Sequence, residues 1–203
     1  MTEKKRRNPK QARSQATVDA ILEATFHILE TEGQAKLTTN LISERAGVSI
    51  GTLYQYFSDR DAILAAMGQR QAEAIREEIT RIMIEKPEGG ARPVIRAMMH
   101  GLKGSAETRI VLGDALIRSR GEKVISDHHN AFLESVKERE EIDFAFGREA
   151  SFVLTHTVVC LLRAAAAEPE LGLEAGPLED ELVLLMESYV AALTAREEKK
   201  AAT

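Results

Sequence analysis

Apolar residues recur along this chain every three or four positions and almost nowhere in alternation, the period of helices with one buried stripe. Val18, Ile21, Leu22, Thr25, Phe26 and Leu29 form the first stripe and predict a helix over residues 13–31, ended by Gly33. A short helix is expected at 39–46. Thr38 stands where an N-cap hydroxyl is wanted, and Gly47 permits a left-handed turn. Val48 can plug that turn and Ser49 can cap a third helix at once, so the connection is tight enough to force a helix-turn-helix hairpin. Ser58 or Asp59 caps a long helix over 60–85, which residues 86–90 break. Further helices are expected at 93–103, 106–119, 122–144, 148–167 and 178–198. The fold class is all-α.

At 100° per residue, Ile50, Leu53 and Phe57 fall within about 60° of one another and form the inward face of the third helix, although the place of Ile50 in the first turn could equally expose it. Gly51, Thr52 and Gln55 point the other way, with Tyr54 and Tyr56 on the flanks. The outward surface is small, uncharged and able to hydrogen-bond. Such a face suits a DNA major groove, where glutamine can pair with adenine and the threonine methyl can meet that of thymine. Flanking tyrosine hydroxyls and Arg60 can reach phosphates. The alternative is that both tyrosines merely cover the hairpin's own core.

Charge changes the picture by region. The chain carries a net charge of -5, which argues against a polyanionic partner, yet residues 1–60 hold nine lysines and arginines against seven acids. Lys4, Lys5, Arg6, Arg7 and Lys10 lie in residues 1–12, which lack apolar periodicity and read as a disordered basic arm or a solubilising tail. No apolar run of transmembrane length and no secretory leader is evident, so the chain is expected to be cytoplasmic and away from membranes. The lone Cys160 reads as a small buried hydrophobe.

The stretch LTTNLISERAGVSIGTLYQYFSDRDAIL resembles the DNA-binding signature of TetR-type (tetracycline-repressor-like) transcriptional regulators. The resemblance covers residues 16–67, with Ser43 in place of the usual alanine and Arg60 in place of the usual lysine. It implies phosphate contacts from Thr38, Tyr56 and Arg60, base or mixed contacts from Ser49, Ile50, Gly51, Thr52, Tyr54 and Gln55, and a place for Thr39 in the same surface. It also implies a homodimer that binds a pseudo-palindromic operator in double-stranded DNA, represses, and is released by a ligand. The domains expected are an arm at 1–12, the DNA-binding domain at 13–58 and a ligand-binding and dimerisation domain at 59–203.

Helices 148–167 and 178–198 are apolar around most of their circumference, so each needs partners on two sides. A twin across a two-fold axis would supply one, through Val158, Leu161, Leu162, Ala165, Leu182, Leu185, Met186 and Tyr189; burial of both helices inside one monomer is the alternative. Met67, Met98, Met99, Phe132, Phe152 and His156 are the candidates for a small apolar or amphipathic ligand, although each alone also reads as core packing. His128, His129 and the pair His156 and Cys160 raise a metal reading, but two ligands at fixed spacing are too few. No metal, cofactor or nucleophile-base constellation is expected, and the chain is not read as an enzyme. The competing reading is a helical partner- or ligand-binding protein that does not bind DNA.

Overall fold

The computed structural model describes residues 9–85, 89–121, 123–137 and 147–201, and among them every regular element is helical. The helices are α1 (Pro9–Glu32), α2 (Thr39–Arg45), α3 (Ile50–Tyr56), α4 (Arg60–Glu85), α5 (Arg92–His100), α6 (Ala106–Arg120), α7 (Lys123–Lys137), α8 (Arg148–Ala167) and α9 (Ala175–Ala201). Short 3-10 turns lie at Gln34–Lys36 and Pro169–Leu171. Residues 9–12, expected in the basic arm, belong to α1. Proline is tolerated in a first turn, where its missing N–H has no intrahelical partner, and Lys10, Gln11 and Ala12 are good helix formers. The remainder of the arm, and residues 138–144 of the expected helix 122–144, lie outside the described residues.

The chain divides into two compact units at places other than the expected boundary at residue 58. The first takes the described residues up to Gln69 together with Gly104–Gly121, and the second takes Arg70–Lys103 with the described residues that follow Gly121. In the first unit, Ile21, Ile28, Leu37, Ile42, Leu53, Ile63, Leu64 and Met67 pack into one cluster with Val111, Leu112 and Ala115 of α6. Thr25 is fully buried on the apolar face of α1, and its hydroxyl donates to the Ile21 carbonyl at 2.8 Å, so no polar group is left unmatched there.

Two local features seat α6 in this unit. At Gly68 of α4, a Cβ would lie 2.9 Å from the Leu112 carbonyl oxygen, so only glycine lets the backbones of α4 and α6 come so near. At the head of α6, the Glu30 carboxylate accepts from the Ser105 N–H at 2.9 Å and from the Ser105 hydroxyl at 3.1 Å. Hydrogen bonding from the Thr108 hydroxyl and the Ser105 N–H holds the Glu30 carboxyl below the usual carboxylate range.

In the second unit, Ile95, Val158, Leu182 and Val183 are buried together, with Met98, Met99, Leu162, Leu178 and Met186 packed against them. An ionic clasp joins α5 to α9: the buried Glu179 accepts from Arg92 Nη1 at 2.6 Å and from Arg96 Nε at 2.9 Å, while Arg92 also reaches Asp180 at 2.8 Å. Two guanidinium groups on one carboxylate offset the cost of taking it out of water. The Arg96 and Arg92 hydrogen bonds hold the Glu179 carboxyl below its ordinary value.

Helix α8 corrects two expectations. It is long and apolar enough, by length and composition, to cross a membrane, and only 22% of that stretch is buried within the chain. Cys160, expected in the core, is exposed on it, because the helix has more apolar circumference than its own unit covers.

The contact at Gly68 yields a test. Gly68→Ala gains helix propensity of about 1 kcal/mol, but its methyl meets backbone that cannot rotate away, and overpacking of that kind costs about 1–3 kcal/mol. A lower melting temperature by circular dichroism is expected. An unchanged or raised melting temperature would show that α4 and α6 separate freely.

Candidate nucleic-acid interface

The hairpin is held by its caps. Thr38 is extended, with φ −126°, and its hydroxyl oxygen accepts from the Leu41 N–H at 3.2 Å. Ser49 does the same for α3, accepting from the Thr52 N–H at 3.0 Å. Between them Gly47 takes φ +66°, while the Val48 N–H reaches back to the Ser43 carbonyl at 3.0 Å and closes the end of α2. Ser43 is buried and donates to the Asn40 carbonyl at 2.9 Å, so its hydroxyl is satisfied at a site that needs a small side chain. Asp59, rather than Ser58, caps α4: its carboxylate accepts from the Ala62 N–H at 2.8 Å and from the Ser58 hydroxyl at 2.9 Å. Those bonds, the Ala62 one first, hold the Asp59 carboxyl below its usual range.

Leu53 is the sole buried residue of α3. Gly51, Tyr54, Gln55 and Tyr56 are exposed, and Thr52 is half-buried with its hydroxyl 2.8 Å from that of Ser49. Ile50, turned inward by periodicity alone, is 38% exposed. It is the first residue of a seven-residue helix, and its turn projects past the core that Leu53 enters. The Tyr54 hydroxyl lies 3.2 Å from the Thr39 hydroxyl and ties α3 to α2. No charged residue lies on α3; the cations nearby are Arg60, 3.5 Å from Asp61, and Arg45, 2.9 Å from Glu32. Thr38, Thr39, Ser49 and the exposed α3 residues thus form one polar surface with an uncharged centre.

The other expected sites are only partly brought together. Met67 packs in the first unit's core, whereas Met98 and Met99 flank the second unit's core, so they belong to different clusters. Phe152 and His156 stack with ring centroids 3.8 Å apart. The Phe132 side chain lies outside the described residues. A concavity of about 410 Å³ lies between the first 3-10 turn and α6, lined by Gln34, Glu107, Ile110, Val111, Asp114 and Arg118, and none of the expected ligand residues borders it.

Of the expected dimer residues, Val158 and Leu182 are buried in the second unit's own core, with Leu162 and Met186 packed against it. Val158 and Leu182 leave almost no surface for a twin, and Leu162 and Met186 are partly buried. Ala165 and Tyr189 are half-buried, while Leu161 and Leu185 are exposed. The outward faces run through different neighbours. Val153, Cys160, Leu161 and Ala164 share about 100° of α8, and Leu184, Leu185, Ser188, Ala191 and Ala192 share about 120° of α9, all exposed.

The residue that the sequence pattern underweighted is His129. It is buried, its Nδ1 is 2.9 Å from the Thr155 hydroxyl, and its ring lies edge-on to His156 at 5.7 Å and to Phe152 at 6.3 Å. On a helical wheel it falls amid Ile125, Phe132, Leu133 and Val136, and a histidine centred in an apolar stripe was the available signal. Among the described residues no three histidine, cysteine, aspartate or glutamate side chains gather to hold a metal ion.

Residues 21–67 match the family model described as "Bacterial regulatory proteins, tetR family". An HTH-type transcriptional regulator of Mycobacterium tuberculosis is 25% identical over 121 residues, 58% of this chain and 60% of that protein. The nucleoid occlusion factor SlmA of Vibrio vulnificus is 32% identical over 105 residues, 49% of this chain and 53% of its own length. The chain therefore spans less than two thirds of the curated relatives it matches. Among solved structures, the TetR family repressor AlkX from Dietzia has a TM-score of 0.58 at 18% identity, covering 86% of this chain and 96% of its own. The fatty acid degradation regulator FadR from Bacillus halodurans has a TM-score of 0.55 at 17% identity, covering 90% and 96%. Likeness at that level is one of fold.

Ser49 separates the cap from the rest of this surface. Ser49→Ala removes the acceptor and is expected to cost about 1 kcal/mol, whereas aspartate caps as well as serine, so Ser49→Asp should regain that stability. Thermal denaturation of the two variants beside wild type is the measurement. Equal melting temperatures for wild type and Ser49→Ala would remove the cap from the account.

Proposed function

We propose, from the match of residues 21–67 to the tetR family of bacterial regulatory proteins, that the chain is a transcriptional repressor, binding a pseudo-palindromic operator as a homodimer and released by a ligand. The observation that carries the reading is the surface of α3: a helix fixed by one buried leucine and the Ser49 cap, with Gly51, Tyr54, Gln55 and Tyr56 exposed on it. Gly51 lets the helix approach the groove floor, Thr52 and Gln55 offer hydrogen bonds and a methyl to base edges, and Tyr56, Thr38 and Arg60 meet phosphates. Tyr54, already bonded to Thr39, acts from a preset position.

The dimer in this reading is built from the exposed faces of α8 and α9 rather than from the buried Val158 and Leu182. Leu184 and Leu185, 60% and 44% exposed, lie beside Ser188, Ala191 and Ala192, small residues that let two copies of the helix approach closely. A two-fold axis there repeats α3 on the partner, and two such helices suit half-sites about 34 Å apart. The effector binds in the second unit, and it releases DNA only if it favours the arrangement in which the two α3 helices no longer match the half-sites.

Binding of the full chain to a duplex bearing its selected site tests this reading. Gln55→Ala should shift base preference at one position of each half-site, with about 1–3 kcal/mol of discrimination lost. Leu185→Lys puts like charges opposite each other across the axis. It should sediment as a helical monomer and bind only weakly, with strong salt sensitivity. Unchanged base preference in the first variant, or a folded and fully binding dimer in the second, would overturn the corresponding part.

A further inference from the structure

His129 is 4% exposed, and its Nε2 is buried with no hydrogen-bond partner. Its tautomer follows from Thr155. Elsewhere in the chain Thr17, Thr25, Thr31, Thr80 and Thr194 return their hydroxyl protons to the carbonyl four residues back. The Thr155 hydroxyl is paired with the His129 ring instead. If it donates to Nδ1, the imidazole carries its proton on Nε2 and a single donor stays unmatched; the reverse arrangement strands two groups. A buried N–H aimed at nothing is costly, and such groups in native proteins commonly await a ligand or an ordered water.

The surroundings define what that N–H receives. His156 lies beside it with its Nδ1 3.0 Å from the Phe152 carbonyl, which can only accept, so His156 donates there and keeps Nε2 free for a second bond. Burial, and then the electrostatic influence of His156 and Arg148, holds the His129 imidazole below its ordinary value. Asp127, Glu134 and Glu149 on the same two helices are exposed, and no acid among the described residues acts on the ring. Among the described residues, the charge that acts on the ring therefore favours an anion. Along α8, Val158 and Leu162 follow Thr155 into the apolar cluster flanked by Met98, Met99 and Met186, roughly 10 Å of helix away. Methionines adapt to varied apolar shapes. Phe152, half exposed, stacks on His156 and meets the His129 ring edge-on.

We propose that His129, held by Thr155 and flanked by Phe152 and His156, is the polar anchor of the effector site and takes the carboxylate of a monocarboxylic acid whose apolar body lies along α8 toward the methionines. The proposal rests on the reading of the second unit as the ligand-binding part and names the ligand class for it.

Calorimetric titration of the full chain, without DNA, with octanoate, 1-octanol and octylamine is the test; it reads ligand binding whether or not the operator reading holds. Octanoate should bind about tenfold more tightly than 1-octanol, the preference one charge-assisted hydrogen bond supplies, and octylamine should bind least. His129→Leu should abolish the preference for octanoate while leaving 1-octanol binding in place, and His129→Gln, which keeps an N–H donor, should retain part of it. Should His129→Leu lose helical signal, Thr155→Val carries the test, because it frees Nδ1 and should lower octanoate affinity selectively. Equal affinity of wild type for octanoate and 1-octanol, no octanoate binding, or an undiminished preference in the folded variants would overturn the proposal.

Discussion

A helix of seven residues cannot stabilise itself in water, and α3 buries only Leu53. Everything that could make α3 a reading surface follows from that constraint, because side chains left free for a partner contribute nothing to holding the helix. The caps at Thr38 and Ser49, the left-handed Gly47 and the bond between Tyr54 and Thr39 fix it instead. Each satisfies polar groups at the hairpin's own expense and leaves Gly51, Gln55 and Tyr56 outward. The cluster of Ile21, Leu37, Ile42, Ile63 and Leu64 is the floor on which Leu53 rests.

The same logic explains why α6 counts with the first unit although it lies far along the chain. Val111, Leu112 and Ala115 complete the hydrophobic floor, Gly68 permits the close approach, and Glu30 anchors the helix's first turn. The second unit is built differently. Its apolar cluster is smaller and is joined by the Arg92, Arg96 and Glu179 clasp, while α8 and α9 keep long apolar faces outward. In the proposed dimer those faces are covered by a second copy, and the side of α8 that carries Thr155 is left to meet His129 of α7.

Much of the hairpin was legible in the sequence because caps and turns are local: Thr38, Gly47 and Ser49 act within four residues of themselves, and all three behave as the pattern predicts. Periodicity alone leaves Ile50 open between inward and exposed, since it gives the direction of a side chain but not where the core ends; Ile50 is 38% exposed. For α8 and α9 the pattern revealed two-sided apolarity without saying which side faces home. Val158 and Leu182 proved internal, Leu161 and Leu185 external, and Cys160 exposed. Domain limits were illegible for a different reason, as α6 joins the first unit through contacts with residues more than 40 positions away. His129 was visible as a histidine in an apolar stripe, but only the placement of Thr155 reveals which nitrogen is left without a partner.

The most direct measurement of the central claim is selection of random duplex DNA by the purified full chain, followed by sequencing of what is retained. A dimer presenting two α3 helices predicts an inverted repeat whose half-sites are centred about 10–10.5 base pairs apart, or a multiple of that. Enrichment of a single unrepeated motif, or retention without sequence preference, would contradict it.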